Sequence, residues 1–497
     1  MKKINVDHVV IRFAGDSGDG MQLAGNRFTH EVAQAGNDFS VLPNYPAEIR
    51  APQGTVAGVS SFQIHFSASP SLTPGDRPDV LVVMNPAALK ANLADLRWRG
   101  LIIADADEFT DRALKKVGYE TNPLEDGSLE SYQVFALSLT KRASEAAEPY
   151  GLSRKDAART KNFYALGLLS WLYDRPVEPT RTYIEGKFAD KPAIRDANLA
   201  SFNAGYTYGE IAEIFPNRYS VPRAHTKTGT YRQVSGNRAM AYGLMAAAAK
   251  AGMPLFLGAY PITPASDILH ILAAAKSQGV LSFQAEDEIA AAGAALGASF
   301  AGALGVTVTS GPGLDLKTET IGLAVMLELP LVIVDVQRGG PSTGLPTKTE
   351  QSDLLQALWG RHGEAPLPVL AAQTPSDCFN VAMEASRIAV KYRTPVIVLS
   401  DSYLANGAEP WRIPDLASLP PIEPNFTTAP NGEGGAYLPY LRDDSLARAW
   451  ALPGTDGLQH RVGGLEKGAT TGNVSYDPAN HEEMVRLRAA KVEKVAD

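Results

Sequence analysis

Five short, almost wholly apolar runs constrain this chain most: "PLFLGAY", "VLSFQA", "GVTVTS", "LVIVDV" and "PVIVLS", between residues 254 and 400. A strand with one face in water alternates apolar and polar residues, whereas a near-continuous apolar run suits a sheet covered on both faces. Helix-forming stretches beginning near Ala265, Glu286, Asp315, Glu350 and Ser376 separate the runs. The pattern predicts a doubly wound parallel sheet, in which ligands gather beyond the carboxyl ends of the strands.

Ahead of this block, "HVVIRFAG", "SFQIHFS", "DVLVVMN", "GLIIAD" and "VFALS" alternate with amphipathic stretches, which predicts an α/β layer domain over residues 1–205. A polar, proline-containing linker is expected over 206–230 and the parallel-sheet domain over 231–405. Residues 406–497 read as an extended Pro/Gly-rich segment closed by a charged helix. At 497 residues, a division into about two or three domains is ordinary.

Composition removes several classes. The net charge is −8 and no long basic block occurs, so no nucleic-acid partner is expected. No apolar run is long enough for a bilayer and the opening residues lack a signal-peptide core, so no membrane association and a cytoplasmic setting are expected. The one cysteine, Cys378, falls on a helical pattern and excludes a disulfide framework; an iron–sulfur cluster held by this chain would need about four thiolates. The eight histidines are scattered, and no metal ligand is assigned.

Four stretches carry chemistry. In "AYPITPASDIL", Tyr260, Pro261, Ile262, Thr263 and Pro264 join a strand to a helix capped by Ser266 or Asp267, so Thr263 is held either at a cleft or merely in a rigid connection. In "FQAEDEIAAAGAALGAS", Glu286, Asp287 and Glu288 open a helix of small residues. They either complement its dipole or include a buried glutamate able to bond a protonated ring nitrogen. "VTSGPG" places a glycine turn, Ser310 and Gly311 onward, at another strand end. "VDVQRGGPSTGLPTKTEQSDLL" sets Arg338 where a strand ends, suited to bidentate capture of a carboxylate or to pairing with a structural acid. The following loop carries Thr347 and Lys348, the latter a second cation for a ligand or a solvated lysine; His362 beyond it is read as a packing residue.

Together "YPITPASD", "QAEDEIAA", "TSGPG" and "QRGGPSTGLPTKTEQSDL" resemble the α-subunit of 2-oxoacid:ferredoxin oxidoreductases, particularly the 2-oxoglutarate type. Residues 1–205 resemble the γ-type domain often fused in front of it, 231–405 its thiamine pyrimidine-binding domain, and "GLEKGATTGNVSYDPANH" the segment leading out of that domain. The resemblance implies thiamine diphosphate shared with a separate β-subunit, which would hold the diphosphate, Mg2+ and a [4Fe-4S] cluster. It also implies coenzyme A as substrate, ferredoxin as electron carrier and an (αβ)2 assembly. Glu288 matches the glutamate that contacts the aminopyrimidine N1′, while Tyr260, Pro261, Ile262, Ser310 and Gly311 fall among cofactor-lining positions. Thr263 and Arg338 match positions that hold the keto and C1-carboxylate groups of the 2-oxoacid. Thr347 or Lys348 would meet the distal carboxylate of 2-oxoglutarate; pyruvate or a branched 2-oxoacid would need no second cation. A non-catalytic binding or assembly protein on the same fold is the alternative class, disfavoured because Glu288 and Arg338 are both present. Such α-subunits usually continue into a further α/β domain after a segment like "RLRAAKVEKVA", where this sequence stops, so that either the chain is shortened or the module is absent.

The loop "AGDSGDGMQLAG" resembles two cofactor signatures and fits neither. Its glycines at 15, 18 and 20 have the wrong spacing for a dinucleotide loop. The Gly-Asp-Gly lacks the Asn-Asn of a magnesium–diphosphate site, because Asn44 is followed by Tyr45. Gly15, Ser17 and Gly18, with Arg50, are instead candidates to meet an anionic part of coenzyme A at a helix N-terminus, or form a plain strand–helix turn.

Overall fold

The structure, a computed structural model, describes residues 2–46 and 51–496. The chain divides into two units, Met1–Gln233 with Gly407–Arg412, and Val234–Asn406 with Ile413–Asp497.

The first unit contains β1 (Lys2–Asn5), β2 (His8–Asp16), β3 (Asp38–Asn44), β4 (Val59–Ser67), β5 (Val80–Val83), β6 (Leu101–Asp105), β7 (Gln133–Leu137) and β8 (Asn217–Ser220), after which β9 (Tyr231–Ser235) leads onward. All five runs read as strands here are strands. β2 is the pivot of a mixed sheet: it pairs parallel with β5, followed by β6 and β7, and antiparallel with β4, followed by β3. The helix Met21–Ala35 presents Met21, Phe28 and Val32 to a core that includes Phe13, Phe62 and Phe66. β3 escaped the sequence pattern because Pro43 interrupts its alternation, and β1 and β8 because "KKIN" and "NRYS" are short and polar. Those two pair in parallel, so the stretch expected as a linker contains a strand.

In the second unit, β10 (Leu255–Ala259), β11 (Val280–Gln284), β12 (Leu304–Thr309), β13 (Leu331–Gln337), β14 (Val369–Ala371) and β15 (Pro395–Asp401) form a six-stranded sheet of order β11-β10-β12-β13-β15-β14. Every pair is parallel. Each residue of β12, β13 and β15 is buried, as their apolar runs require. β11 lies at the edge and leaves Leu281 and Phe283 exposed. From β10 the chain steps outward to β11 and then crosses to β12 on the other side, so the order reverses between β10 and β12. That switch point is where a doubly wound sheet opens a ligand crevice.

Two local expectations change. The Ser310–Gly313 turn is the first turn of the helix Gly311–Leu327, because Pro312 is tolerated where a helix N–H has no acceptor. The helix Ser266–Ala273 is preceded by Ala265 without a side-chain cap, in place of the expected Ser266 or Asp267. His362 is exposed and does not pack, while Cys378 is buried in the helix Asp377–Tyr392.

The C-terminal segment is anchored by buried charge. It opens with β16 (Ala408–Arg412), which pairs with β3 at Ala408 and Val41. Further on, Glu328 at the end of the helix Gly311–Leu327 is 1% exposed and meets Arg442 and Lys491, the latter at 2.7 Å. Arg448 Nε donates to the carbonyls of Leu327 at 2.9 Å and Glu328 at 3.1 Å, satisfying acceptors that a helix end leaves open. Tyr440 lies against the cations of Arg448 and Lys467.

Burial alone would raise the pKa of Glu328, but Lys491 and Arg442 outweigh it and hold the value below 4.5. A depressed carboxyl contributes stability above its unfolded value, and that contribution is lost as pH falls through the folded value. Glu328→Gln strands two buried cations, so we expect a loss of about 3–5 kcal/mol in urea unfolding at neutral pH. Its unfolding should also depend less steeply on acid than that of the wild type.

Candidate active site

Glu288 is the first residue of the helix Glu288–Phe300, behind the cap Asp287, whose Oδ1 accepts from Ala290 N at 2.8 Å. Asp287 therefore serves the helix end, as a short acid at a cap commonly does. Glu288 is left over from that capping role. It is 8% exposed, and no described residue donates a hydrogen bond to its carboxylate. Gly313 lets it sit there. A Cβ at Gly313 would stand 2.0 Å from Thr309 Oγ1 and 2.8 Å from Glu288 Cγ, inside the contact limit of both.

Arg338 follows β13, is 6% exposed, and clasps two loops. One terminal nitrogen donates to the Thr263 carbonyl at 2.7 Å and the other to the Thr343 carbonyl at 3.0 Å. Each terminal nitrogen of a guanidinium carries a second hydrogen, so donors remain for a ligand. Burial lowers the Arg338 pKa and the Glu288 charge opposes that shift. The structure thus places Thr263, Glu288 and Arg338 beyond the carboxyl ends of β10, β11 and β13 of the same sheet. Tyr260, Pro261 and Thr263 are exposed and Ile262 is half-buried along the same connection.

The glycine-rich loop after Arg338 is tied down at both ends. Gly340 N donates to Glu350 Oε2 at 2.8 Å, Asp353 N to Gln337 Oε1 at 3.0 Å, and Gln351 Nε2 to Asp401 Oδ2 at 2.7 Å. Thr347 and Lys348 lie half-buried in it, and burial lowers the Lys348 pKa. A cavity of about 370 Å3 opens among Gly311, Pro312, Arg338, Pro341 and Asp353. Ser310 lies just before this helix start with its hydroxyl buried and without a partner among the described residues.

Two charged residues in this region had no role assigned from the sequence. Lys317 and Asp335 are fully buried, and neither Lys317 Nζ nor either Asp335 oxygen has a hydrogen-bond partner by donor–acceptor geometry. Burial pushes the Asp335 carboxyl well above its ordinary range, with the neighbouring Asp353 charge adding to the shift. The signal available was a lone acid inside "LVIVDV" and a lone lysine on an otherwise apolar helix face.

In the first unit, the loop after β2 uses its own acid: Asp19 Oδ2 accepts from Asp16 N at 2.8 Å, and Gly15 has no room for a Cβ beside it. Lys161 meets Asp19 at 3.2 Å, Glu108 at 3.3 Å and Asp105 at 3.6 Å. Ser17 and Gly18 remain exposed at the tip, and a cavity of about 380 Å3 lies among Asp16, Asn85, Arg112, Lys116 and Lys161. Arg50 lies outside the described residues.

The family profile described as "Pyruvate flavodoxin/ferredoxin oxidoreductase, thiamine diP-bdg" matches residues 247–475, and "Pyruvate ferredoxin/flavodoxin oxidoreductase" matches 10–208. Fold and site therefore define a thiamine-diphosphate-binding oxidoreductase chain. The 2-oxoglutarate oxidoreductase subunit KorA of Mycobacterium tuberculosis is 58% identical over 491 residues, covering 99% of this chain and 75% of its own. The 2-oxoglutarate synthase subunit KorA of Methanothermobacter marburgensis is 37% identical over 260 residues, 52% of this chain and 66% of that one. The solved 2-oxoglutarate:ferredoxin oxidoreductase from Magnetococcus marinus, with 2-oxoglutarate, coenzyme A and succinyl-CoA bound, matches with a TM-score of 0.84 at 32% identity, covering 99% of this chain and 80% of that one. The chain belongs to the 2-oxoacid:ferredoxin oxidoreductase family, as an α-type chain with a fused N-terminal γ-type domain, most similar to the 2-oxoglutarate branch. Among the described residues no helix is long and apolar enough to cross a membrane.

The Gly313 contact is directly testable. Gly313→Ala must displace Thr309 or Glu288, and we expect about 1–3 kcal/mol of destabilisation, as for other overpacked sites. Equilibrium unfolding of the variant measures it; an unchanged midpoint would mean that the helix start yields freely.

Proposed function

We propose that this chain is the α-type subunit of an enzyme that oxidatively decarboxylates 2-oxoglutarate to succinyl-CoA and passes electrons to ferredoxin, or runs the reverse reductive carboxylation. The observation that carries this reading is Arg338 donating to the Thr263 carbonyl beside the switch point of the parallel sheet, with the Glu288 charge acting on that guanidinium. A separate β chain would hold the diphosphate, Mg2+ and a [4Fe-4S] cluster, in an (αβ)2 assembly working in the cytoplasm. The exposed Tyr260–Thr263 connection suits a site that a second chain completes.

The residues present fit the aminopyrimidine half of thiamine diphosphate. Glu288 is a buried acceptor that no described residue satisfies, and a ring nitrogen bearing a proton would satisfy it. When bound, the cofactor supplies the carbon nucleophile and electron sink that decarboxylation of a 2-oxoacid needs. This chain's own residues then have separable roles. Glu288 holds a proton at the ring nitrogen. Arg338 directs its remaining N–H groups at the substrate's C1-carboxylate, Thr263 turns its hydroxyl to the keto oxygen, and Lys348 with Thr347 meets the distal carboxylate. Tyr260, Pro261, Ile262, Ser310 and Gly311 shape the wall around the ring. Coenzyme A is proposed to reach the first unit at the exposed Ser17 and Gly18, with the buried Gly15 shaping the loop behind them and Arg112 and Lys116 bordering the cavity beside them.

Co-expression with a candidate β chain should give a complex that reduces a viologen dye when 2-oxoglutarate and coenzyme A are both present. Glu288→Gln should cut turnover by about 100-fold or more while the complex still assembles. Lys348→Met should raise KM for 2-oxoglutarate about tenfold and leave any slow pyruvate turnover unaltered. Equal use of pyruvate by the wild type would remove the distal-carboxylate role, and wild-type turnover in Glu288→Gln would remove Glu288 from the mechanism.

A further inference from the structure

Lys317 is 0% exposed on the helix Gly311–Leu327, with its Nζ unbonded among the described residues. An ammonium buried in that state costs stability, and packing does not demand it, since methionine would fill similar space. Helix geometry puts it on the face that Glu288 abuts. Gly313 and Lys317 are four residues apart and share a face. Gly313 is the residue against which Glu288 presses, a Cβ there falling 3.2 Å from Glu288 Oε1.

The charged groups around Lys317 are Glu288, Asp335 and Asp287; those facing Glu288 are Lys317 and Arg338. Asp287 is already engaged as the helix cap. Asp335 lies within hydrogen-bonding reach of Asp353, with Asp315 adding further negative charge. Two carboxyl groups in that contact must share a proton. Burial favours that proton on Asp335, and Glu288 is the first of the acids acting on Lys317.

We propose that Lys317 is a positioning residue for Glu288, its buried ammonium drawing the carboxylate to the place from which it meets the cofactor ring. The inference rests on the reading of Glu288 given above. Burial lowers the Lys317 pKa to about 8, with Glu288 the largest opposing influence. Near that pH the ammonium loses its proton, and Glu288 loses its internal counter-charge.

The test begins with the full chain alone. A lysine at about 8 in the folded state and 10.5 when unfolded binds fewer protons folded across that window. Stability therefore rises with pH from about 8 to 10.5, a gain absent at lower pH where both states are charged. Thermal unfolding against pH should show this rise in the wild type and lose it in Lys317→Met. In Glu288→Gln the rise should begin about one pH unit lower, a tenfold change in proton affinity. In the complex with the β chain, Lys317→Met should lower kcat about tenfold with KM for 2-oxoglutarate unchanged and flatten the alkaline limb of kcat, and Lys317→Arg should restore part of the rate. An onset unmoved in Glu288→Gln overturns the coupling, whether or not the methionine variant folds. An inactive Glu288→Gln beside a Lys317→Met enzyme of normal kcat and pH profile overturns only the role of Lys317. Wild-type turnover in Glu288→Gln instead overturns the reading of Glu288.

Discussion

The second unit is organised around a contact that tolerates no side-chain carbon: Gly313 against Thr309 Oγ1 and Glu288 Cγ. Thr309 ends β12, Gly313 lies in the first turn of the following helix, and Glu288 opens the helix after β11. Two strands and two helices are thereby registered at one point. Glu288 is buried there with no hydrogen bond from the described residues, Gly311 is carried to the cavity rim, and Lys317 follows four residues after Gly313 on the same helix face. A larger residue at 313 would loosen all of these placements together, because packed interiors relax only partly around added volume.

The sequence revealed the frame better than the fit. Continuous apolar runs such as "LVIVDV" have few structural uses, so the parallel sheet followed from them, and its topology puts ligand groups at strand ends. Thr263, Glu288 and Arg338 each stand just beyond a strand, which made them visible one at a time. Their meeting depends on the order β11-β10-β12-β13, which no local pattern encodes. β3, β1 and β8 were hidden for a related reason: proline and polar residues mask strands whose pairing is supplied by distant partners. Lys317 and Asp335 were visible as oddities, but burial, which gives an isolated charge its meaning, is a property of the fold.

The loop after β2 shows how a motif changes meaning in three dimensions. Glycines before a helix suggest an anion held by backbone N–H groups. Here Asp19 supplies such an anion from within the loop, and Lys161 balances Asp19 together with Asp105 and Glu108. Burial lowers the proton affinity of Lys161, yet these acids more than offset it and raise the pKa. Gly15 is thus required for the close approach of a carboxylate belonging to the chain. Any external anion must use the exposed tip at Ser17 and Gly18 instead.

Two buried charges on one helix separate structural from chemical use. Glu328, at its C-terminal end, is met by Arg442 and Lys491, and its neighbouring carbonyls are filled by Arg448. Every demand of that carboxylate is met inside the protein, as expected where a charge holds a segment in place. Lys317, nearer the N-terminal end, has no hydrogen-bond partner among the described residues, and its strongest electrostatic partner is the equally unbonded Glu288. The same helix therefore carries one charge whose partners are complete and one without a hydrogen-bond partner among the described residues. Incomplete satisfaction is costly to stability and is kept where the missing partner arrives with the reaction. On that reasoning the helix Gly311–Leu327 is an anchor at Glu328 and, with Glu288 in its proposed role, a wall of the active site at Gly313 and Lys317.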